Sequence, residues 1–140
     1  MSGLFLEDLT VGQSAELSRE VRESDLVDFA AVSGDHNPVH LDEAYAKTTP
    51  FGGRIAHGML SASYISALIA GKLPGPGTIY LSQSLSFRRP VRIGDVVTVR
   101  AEITAIDEAK ARVTLATTCL VGGKAVIEGE AMILAPRRGA

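Results

Sequence analysis

The spacing of apolar residues changes along the chain, and the change predicts its elements. "QSAELSREV" reads as a first strand, and "ESDLVDFAAVSG" as a short helix. In that helix Ser24 is placed to cap the start, Asp25 suits the positive end and Gly34 supplies the stop. From Gly58 to Ala70 there is no charge, and Met59, Leu60, Tyr64, Ile65, Leu68 and Ile69 cover most of a helical circumference. A helix apolar nearly all round is expected in a protein core, and "PGPG" ends it. The pattern then changes to strands. In "TIYLSQSLSF" Ile79, Leu81, Leu85 and Phe87 fall on one face and Ser82, Ser84 and Ser86 on the other, with Gln83 on the apolar face. "DVVTVRAEITAI", "RVTLATTCLV" and "AVIEGEAMILA" follow, the last two joined by a hairpin turn at Gly122 and Gly123. The first of these three runs would be about 40 Å long, so it is expected to curve. Together these elements predict an α+β fold, an antiparallel sheet wrapped around one long buried central helix, as a single domain over 1–140.

Composition narrows the class. The chain has 140 residues, enough for one domain that buries roughly two-thirds of its unfolded surface. With 46% hydrophobic and 21% charged residues it reads as globular. A net charge of -2 argues against an affinity built on phosphate neutralisation, so no nucleic acid is expected as a partner. One cysteine, Cys119, rules out an internal disulfide framework and suits a reducing compartment; it reads as a small hydrophobe. "MSGLFLEDLTVGQ" lacks the basic start of a signal peptide, and no stretch reaches the roughly 18 apolar residues of a membrane span. A cytoplasmic protein with no membrane partner is the expectation.

Candidate chemistry concentrates in "SGDHNPVHLD". Pro38 removes a backbone donor and drives Asn37 toward extended geometry, so helix is not expected to continue through "DHNPVH". A bend there could turn Asp35 and His40 toward one point, where a carboxylate and an imidazole could activate a water and manage its proton. Taken alone, such a pair is more often a turn acid and a satisfied structural histidine. Asp42 is placed to cap a further short helix through "EAYAKT". Gly58, at the start of the apolar helix, offers a backbone N–H without an intrahelical partner, or is simply a helix-start glycine.

Two pieces, D-x-N-P-x-H and then H-G-M at a helix start, occur within "SGDHNPVHLDEAYAKTTPFGGRIAHGML". This segment resembles the hydratase motif of the MaoC-like, (R)-specific enoyl-CoA hydratases, and "LPGPGTIYLSQSLSFRRPVRIGDVV" is similar to the family's next stretch. The resemblance runs from about Val11 to Pro136 and implies a hot-dog fold. It implies syn addition of water to a trans-2-enoyl-CoA, giving an (R)-3-hydroxyacyl-CoA and linking fatty acid β-oxidation to polyhydroxyalkanoate synthesis. Asp35 then activates the water, His40 delivers the α proton, and the two could exchange these roles. Gly58 holds the thioester oxygen as an oxyanion hole, and Ser66 supports the pair, with Ser61 and Ser63 close enough to blur that mapping. Coenzyme A enters only as carrier of the substrate, no separate cofactor is needed, and a homodimer is expected. A hot-dog thioesterase or a non-catalytic acyl-CoA binding module are the alternatives, each sharing the acyl-CoA.

The remaining candidates are weaker. Ser66 would ordinarily back-bond to the carbonyl of Ala62. Asn37 is expected mainly to form the turn, His57 to orient the loop, and His36 to face solvent. Arg88, Arg89 and Arg92 form a basic patch that could meet coenzyme A phosphates or be ordinary solvated surface. Gln83 could line an acyl tunnel or satisfy a buried backbone group. Asp35, His40 and His57 match no recognised zinc spacing, so no metal is expected.

Overall fold

The computed structural model describes residues 3–139. Six strands form one antiparallel sheet: β1 (Ser14–Glu20), β2 (Ile79–Gln83), β3 (Ser86–Phe87), β4 (Val96–Asp107), β5 (Arg112–Val121) and β6 (Lys124–Leu134). Their order is β1-β4-β5-β6-β2, with β3 also on β6. Helices α1 (Glu23–Ser33), α2 (Pro38–Leu41) and α3 (Glu43–Ala46) precede the long α4 (Gly58–Gly71).

Inward and outward positions alternate along β4 and β5. Val97, Val99, Ala101 and Ile103 are fully buried on one, and Val113, Leu115 and Cys119 on the other. They meet Leu60, Tyr64, Ile65, Leu68 and Ile69 of α4 in a single core. Each fully buried Leu or Ile contributes about 1.5–3 kcal/mol from water exclusion, so this helix–sheet contact dominates the stability. The length of β4 is accommodated by a register shift between Ile103 and Ala105, a bulge that bends the strand. The β5–β6 hairpin closes through Gly122 (φ 57) and Gly123 (φ 78), where a two-residue turn needs positive φ at both positions.

Four expectations are corrected. Ser24 does not cap α1. Arg22 is the N-cap, and the Asp25 carboxylate accepts from its N–H at 2.9 Å, because the chain enters the helix two residues earlier. Pro38 does not merely bend the chain; it opens the one-turn α2, with the Asn37 side chain accepting from Val39 N–H. The "TIYLSQSLSF" segment is not one alternating strand. It breaks between β2 and β3 and shifts register between Tyr80 and Ser82, leaving Ile79, Leu81 and Phe87 exposed. Finally, the sheet covers only one side of α4: Met59, Ser63, Ser66, Ala67 and Ala70 lie on an exposed strip.

Gly129 of β6 allows the break. A Cβ there would overlap the Ser84 carbonyl, and Ser84 pairs closely with Glu130 through its N–H and its hydroxyl. Gln83 donates to the buried Thr117 Oγ1 at 2.9 Å and to the exposed carbonyl of Ser84 at 2.8 Å. No helix among the described residues is long and apolar enough to cross a membrane.

Candidate active site

The site forms where α1 ends, α2 begins and α4 starts. Gly34, at φ 79, closes α1 in the left-handed conformation, and Asp35 follows with its N–H on Ser33 Oγ. The Asp35 carboxylate accepts from Asn37 N–H at 3.2 Å, and Asn37 in turn caps α2. Asn37 is thus occupied in building the turn. Asp42 then accepts from Tyr45 N–H as the cap of α3.

His40 lies on α2 and is 8% exposed. Its Nδ1 is 2.8 Å from the Ile55 carbonyl, which only accepts, so Nδ1 carries the proton and Nε2 is the free nitrogen. Arg54 fixes the same turn from behind. Its Nε donates to the His40 carbonyl at 2.8 Å, and its Nη1 pairs with Glu23 of α1 at 2.8 Å. Arg54 was not distinguishable in the sequence, because an arginine in "GGRIAHG" carries no local signal for a partner on a distant helix.

His57 is 1% exposed. Its Nε2–H donates to the Asp35 carbonyl at 3.0 Å, its ring stacks on His40 with centroids 3.9 Å apart, and Phe29 of α1 tilts against it at 4.9 Å. Its Nδ1 is buried with no partner among the described residues. Burial above all lowers its pKa, outweighing the opposing effect of the Asp35 carbonyl bond, so the ring is held neutral. Asp35, His40 and His57 each bring one potential ligand atom within 4.8 Å of the others. They are the residues that could approach a metal, each histidine keeping one nitrogen beyond its carbonyl bond.

Beside His40 opens a cleft of about 410 Å³, lined also by Gly58, Met59, Phe87, Arg88 and Arg89. Gly58 opens α4, whose N-cap His57 makes no side-chain cap bond; Leu60 N–H bonds the His57 carbonyl at 3.1 Å, and the N–H groups of Gly58 and Met59 have no partner among the described residues. A Cβ on Gly58 would lie 2.6 Å from the Phe87 ring, so the ring packs directly over the bare glycine.

The other sequence candidates separate. Arg88 and Arg89 line the cleft, Arg88 with a 3.4 Å ion pair to Glu128. Arg92 does not; its Nη2 donates to the Phe51 carbonyl at 2.6 Å. Ser66 lies on the exposed strip of α4 and makes no hydrogen bond to Ala62; the back-bonding serine is Ser63, on the Leu60 carbonyl at 2.5 Å. Ser61, fully buried and against the cleft, has a hydroxyl without a partner among the described residues. His36 is exposed. Cys119 is buried beneath Ser61, and burial pushes its thiol up to about 12, which leaves it unreactive.

Residues 8–124 match the MaoC like domain family. An "(R)-specific enoyl-CoA hydratase" of Rhodospirillum rubrum is 54% identical over 96% of this chain and 94% of its own length. A "3-hydroxybutyryl-CoA dehydratase" of Methylorubrum extorquens is 49% identical over 96% of this chain and 86% of its own. Among solved structures, an unliganded R-hydratase of Pseudomonas aeruginosa superposes with a TM-score of 0.92 at 54% identity, covering 97% of this chain and 88% of that one. The (R)-hydratase of Aeromonas caviae, involved in PHA biosynthesis, gives 0.90 at 48% identity, over 93% of this chain and 99% of that one. The hot-dog fold, the two-part motif and the cleft between α2 and α4 therefore have one common explanation: the chain belongs to the MaoC-like dehydratase family.

Proposed function

We propose that this protein is an (R)-specific enoyl-CoA hydratase, adding water syn across the double bond of a trans-2-enoyl-CoA to give an (R)-3-hydroxyacyl-CoA. The observation that carries the reading is the approach of the Asp35 carboxylate and the His40 imidazole to within 4.8 Å, with His40 and Gly58 both lining the cleft.

A water held between the two groups loses a proton to Asp35 as its oxygen bonds to the β carbon. The electrons of the double bond move toward the thioester, and the Gly58 N–H meets the charge that develops on its oxygen. The proton taken from the water passes through the Asp35–His40 pair to the lone pair of His40 Nε2, left free by the Ile55 carbonyl bond, and from there to the α carbon. One proton leaves the water and one is returned to carbon, so the pair is restored and no cofactor is consumed. Because both new bonds form from the same side, the addition is syn. Arg88 and Arg89, exposed at the cleft, would meet coenzyme A phosphates.

A second copy of the chain completes this reading. Two surfaces of the chain lack cover: the exposed strip of α4, and the edge strand β2, which presents Ile79 and Leu81 to solvent with one backbone edge unpaired. Self-pairing that covered both would make a homodimer and bury Ser66. In the cytoplasm the product would supply hydroxyacyl monomers for polyhydroxyalkanoate synthesis from β-oxidation intermediates.

The test mixes purified protein with trans-2-enoyl-CoA and follows both the conjugated absorbance and the release of free thiol. Loss of absorbance without thiol, and a product oxidised by an (R)-specific dehydrogenase, are expected. Thiol release would establish a thioesterase, and an (S) product would overturn the assignment. Light scattering during size exclusion is expected to give twice the chain mass.

A further inference from the structure

We propose that His57 is a positioning residue, tying the Asp35 backbone to the first turn of α4 and so holding the Asp35–His40 pair in register with Gly58. Its catalytic consequence rests on the hydratase reading above. His57 stands at the N-cap of α4, where a side chain ordinarily bonds to its own helix, and it makes no such bond. It donates instead to the carbonyl of Asp35, 22 residues earlier, at 3.0 Å. The same ring lies on His40, and Phe29 of α1 packs against it. Three parts of the site therefore meet on one buried side chain: the carboxylate loop, the imidazole, and Gly58 as the next residue.

What His57 holds is the main chain of Asp35, so the carboxylate itself remains free to turn toward a water. His57 does not line the cleft, and its second nitrogen is buried without a partner among the described residues. A group that exchanged protons with substrate would need a path for them, and Nδ1 has none. The titratable groups facing the ring are Asp35, His36 and His40. Acting through Asp35 and His40 rather than on the substrate is the role this geometry leaves open.

Two variants divide the contributions. His57→Phe keeps a ring against His40 and removes the N–H; His57→Gln removes the ring and places an amide N–H near the position of Nε2. In His57→Phe, kcat is expected to fall roughly tenfold to a hundredfold with KM nearly unchanged, the usual result of misplacing a catalytic group by about 1 Å. His57→Gln is expected to recover most of that loss. Hydrogen–deuterium exchange of the segment 33–39 should quicken in His57→Phe and return toward the wild-type rate in His57→Gln. Wild-type kcat and exchange in both variants, or Gln as impaired as Phe in both measurements, would overturn the proposal. If His57→Phe does not fold, His57→Asn, whose amide is too short to reach the carbonyl, replaces it in the comparison. Failure of the wild-type protein to hydrate any enoyl-CoA would sink the hydratase reading, and the exchange rates alone would then decide whether His57 holds the loop.

Discussion

His40 and His57 lie face to face, ring centroids 3.9 Å apart and planes 26° apart, and each has one nitrogen committed to a main-chain carbonyl. The two commitments fix opposite tautomers: the proton is on Nδ1 of His40 and on Nε2 of His57. One ring therefore presents a free nitrogen beside the cleft, while its neighbour buries one.

The buried ring should leave a mark on stability. An unfolded chain protonates His57 near its ordinary value of 6.5, whereas the folded chain resists protonation because the ring is buried. Below that pH the unfolded state binds the extra proton, so this residue's contribution erodes as pH falls and is complete above it. Thermal unfolding of His57→Gln between about pH 7 and pH 5 should show a shallower decline in Tm than the wild type. Identical slopes would mean that His57 does not titrate in this way.

Replacing Asp35 by Asn or His40 by Ala should lower kcat by about 10²- to 10⁴-fold, the usual range for general acid–base groups. The stability effects should differ. Asp35 is exposed, so its variant should unfold within about 0.5 kcal/mol of the wild type, whereas His40→Ala removes a buried, stacked ring. Enoyl absorbance and denaturant titration on the same samples separate the two effects. Near-normal hydration in both variants would refute the site.

Gly58→Ala should impair hydration by crowding Phe87, whose ring would stand 2.6 Å from the new methyl. The ring is 53% exposed and can swing aside, so folding should survive. If the contact is the cause, Phe87→Ala in the same chain should restore part of kcat. A double variant as poor as the single one would point instead to the helix start itself.

Ser61→Ala removes a hydroxyl that is buried without a partner among the described residues. Deleting an unsatisfied polar atom should be neutral or stabilising by up to about 1 kcal/mol, in contrast to the roughly 2–5 kcal/mol lost on truncating a core Leu or Ile such as Ile65 to Ala. Denaturant midpoints of the two variants give the comparison. A clear loss for Ser61→Ala would reveal a hydrogen bond in solution.

Local rules account for the legible part of the chain. Gly122 and Gly123 form the expected hairpin turn, Asp42 caps α3, and the uncharged run from Gly58 forms the central helix. Asp35 and His40 lie in a motif of short span, within which a proline fixes the local geometry. What escaped depends on tertiary packing. The His57–Asp35 bond joins residues far apart in sequence, and nothing near either one announces it. The exposed strip of α4 was invisible because an apolar surface looks the same in sequence whether its own sheet or a second chain covers it. β2 and β3 failed as one alternating strand because the break is permitted from the neighbouring strand, at Gly129, not by the residues of the break itself.

That last point reaches the site. Gly129 admits Ser84 and Gly58 admits Phe87, so one short stretch of chain is fitted against two positions that have no side chain. The shape of the cleft wall is thus defined partly by omission. A methyl group added at Gly129 would displace Ser84, three residues before the Phe87 that lines the cleft, and mutational surveys that rank residues by their chemistry would overlook it.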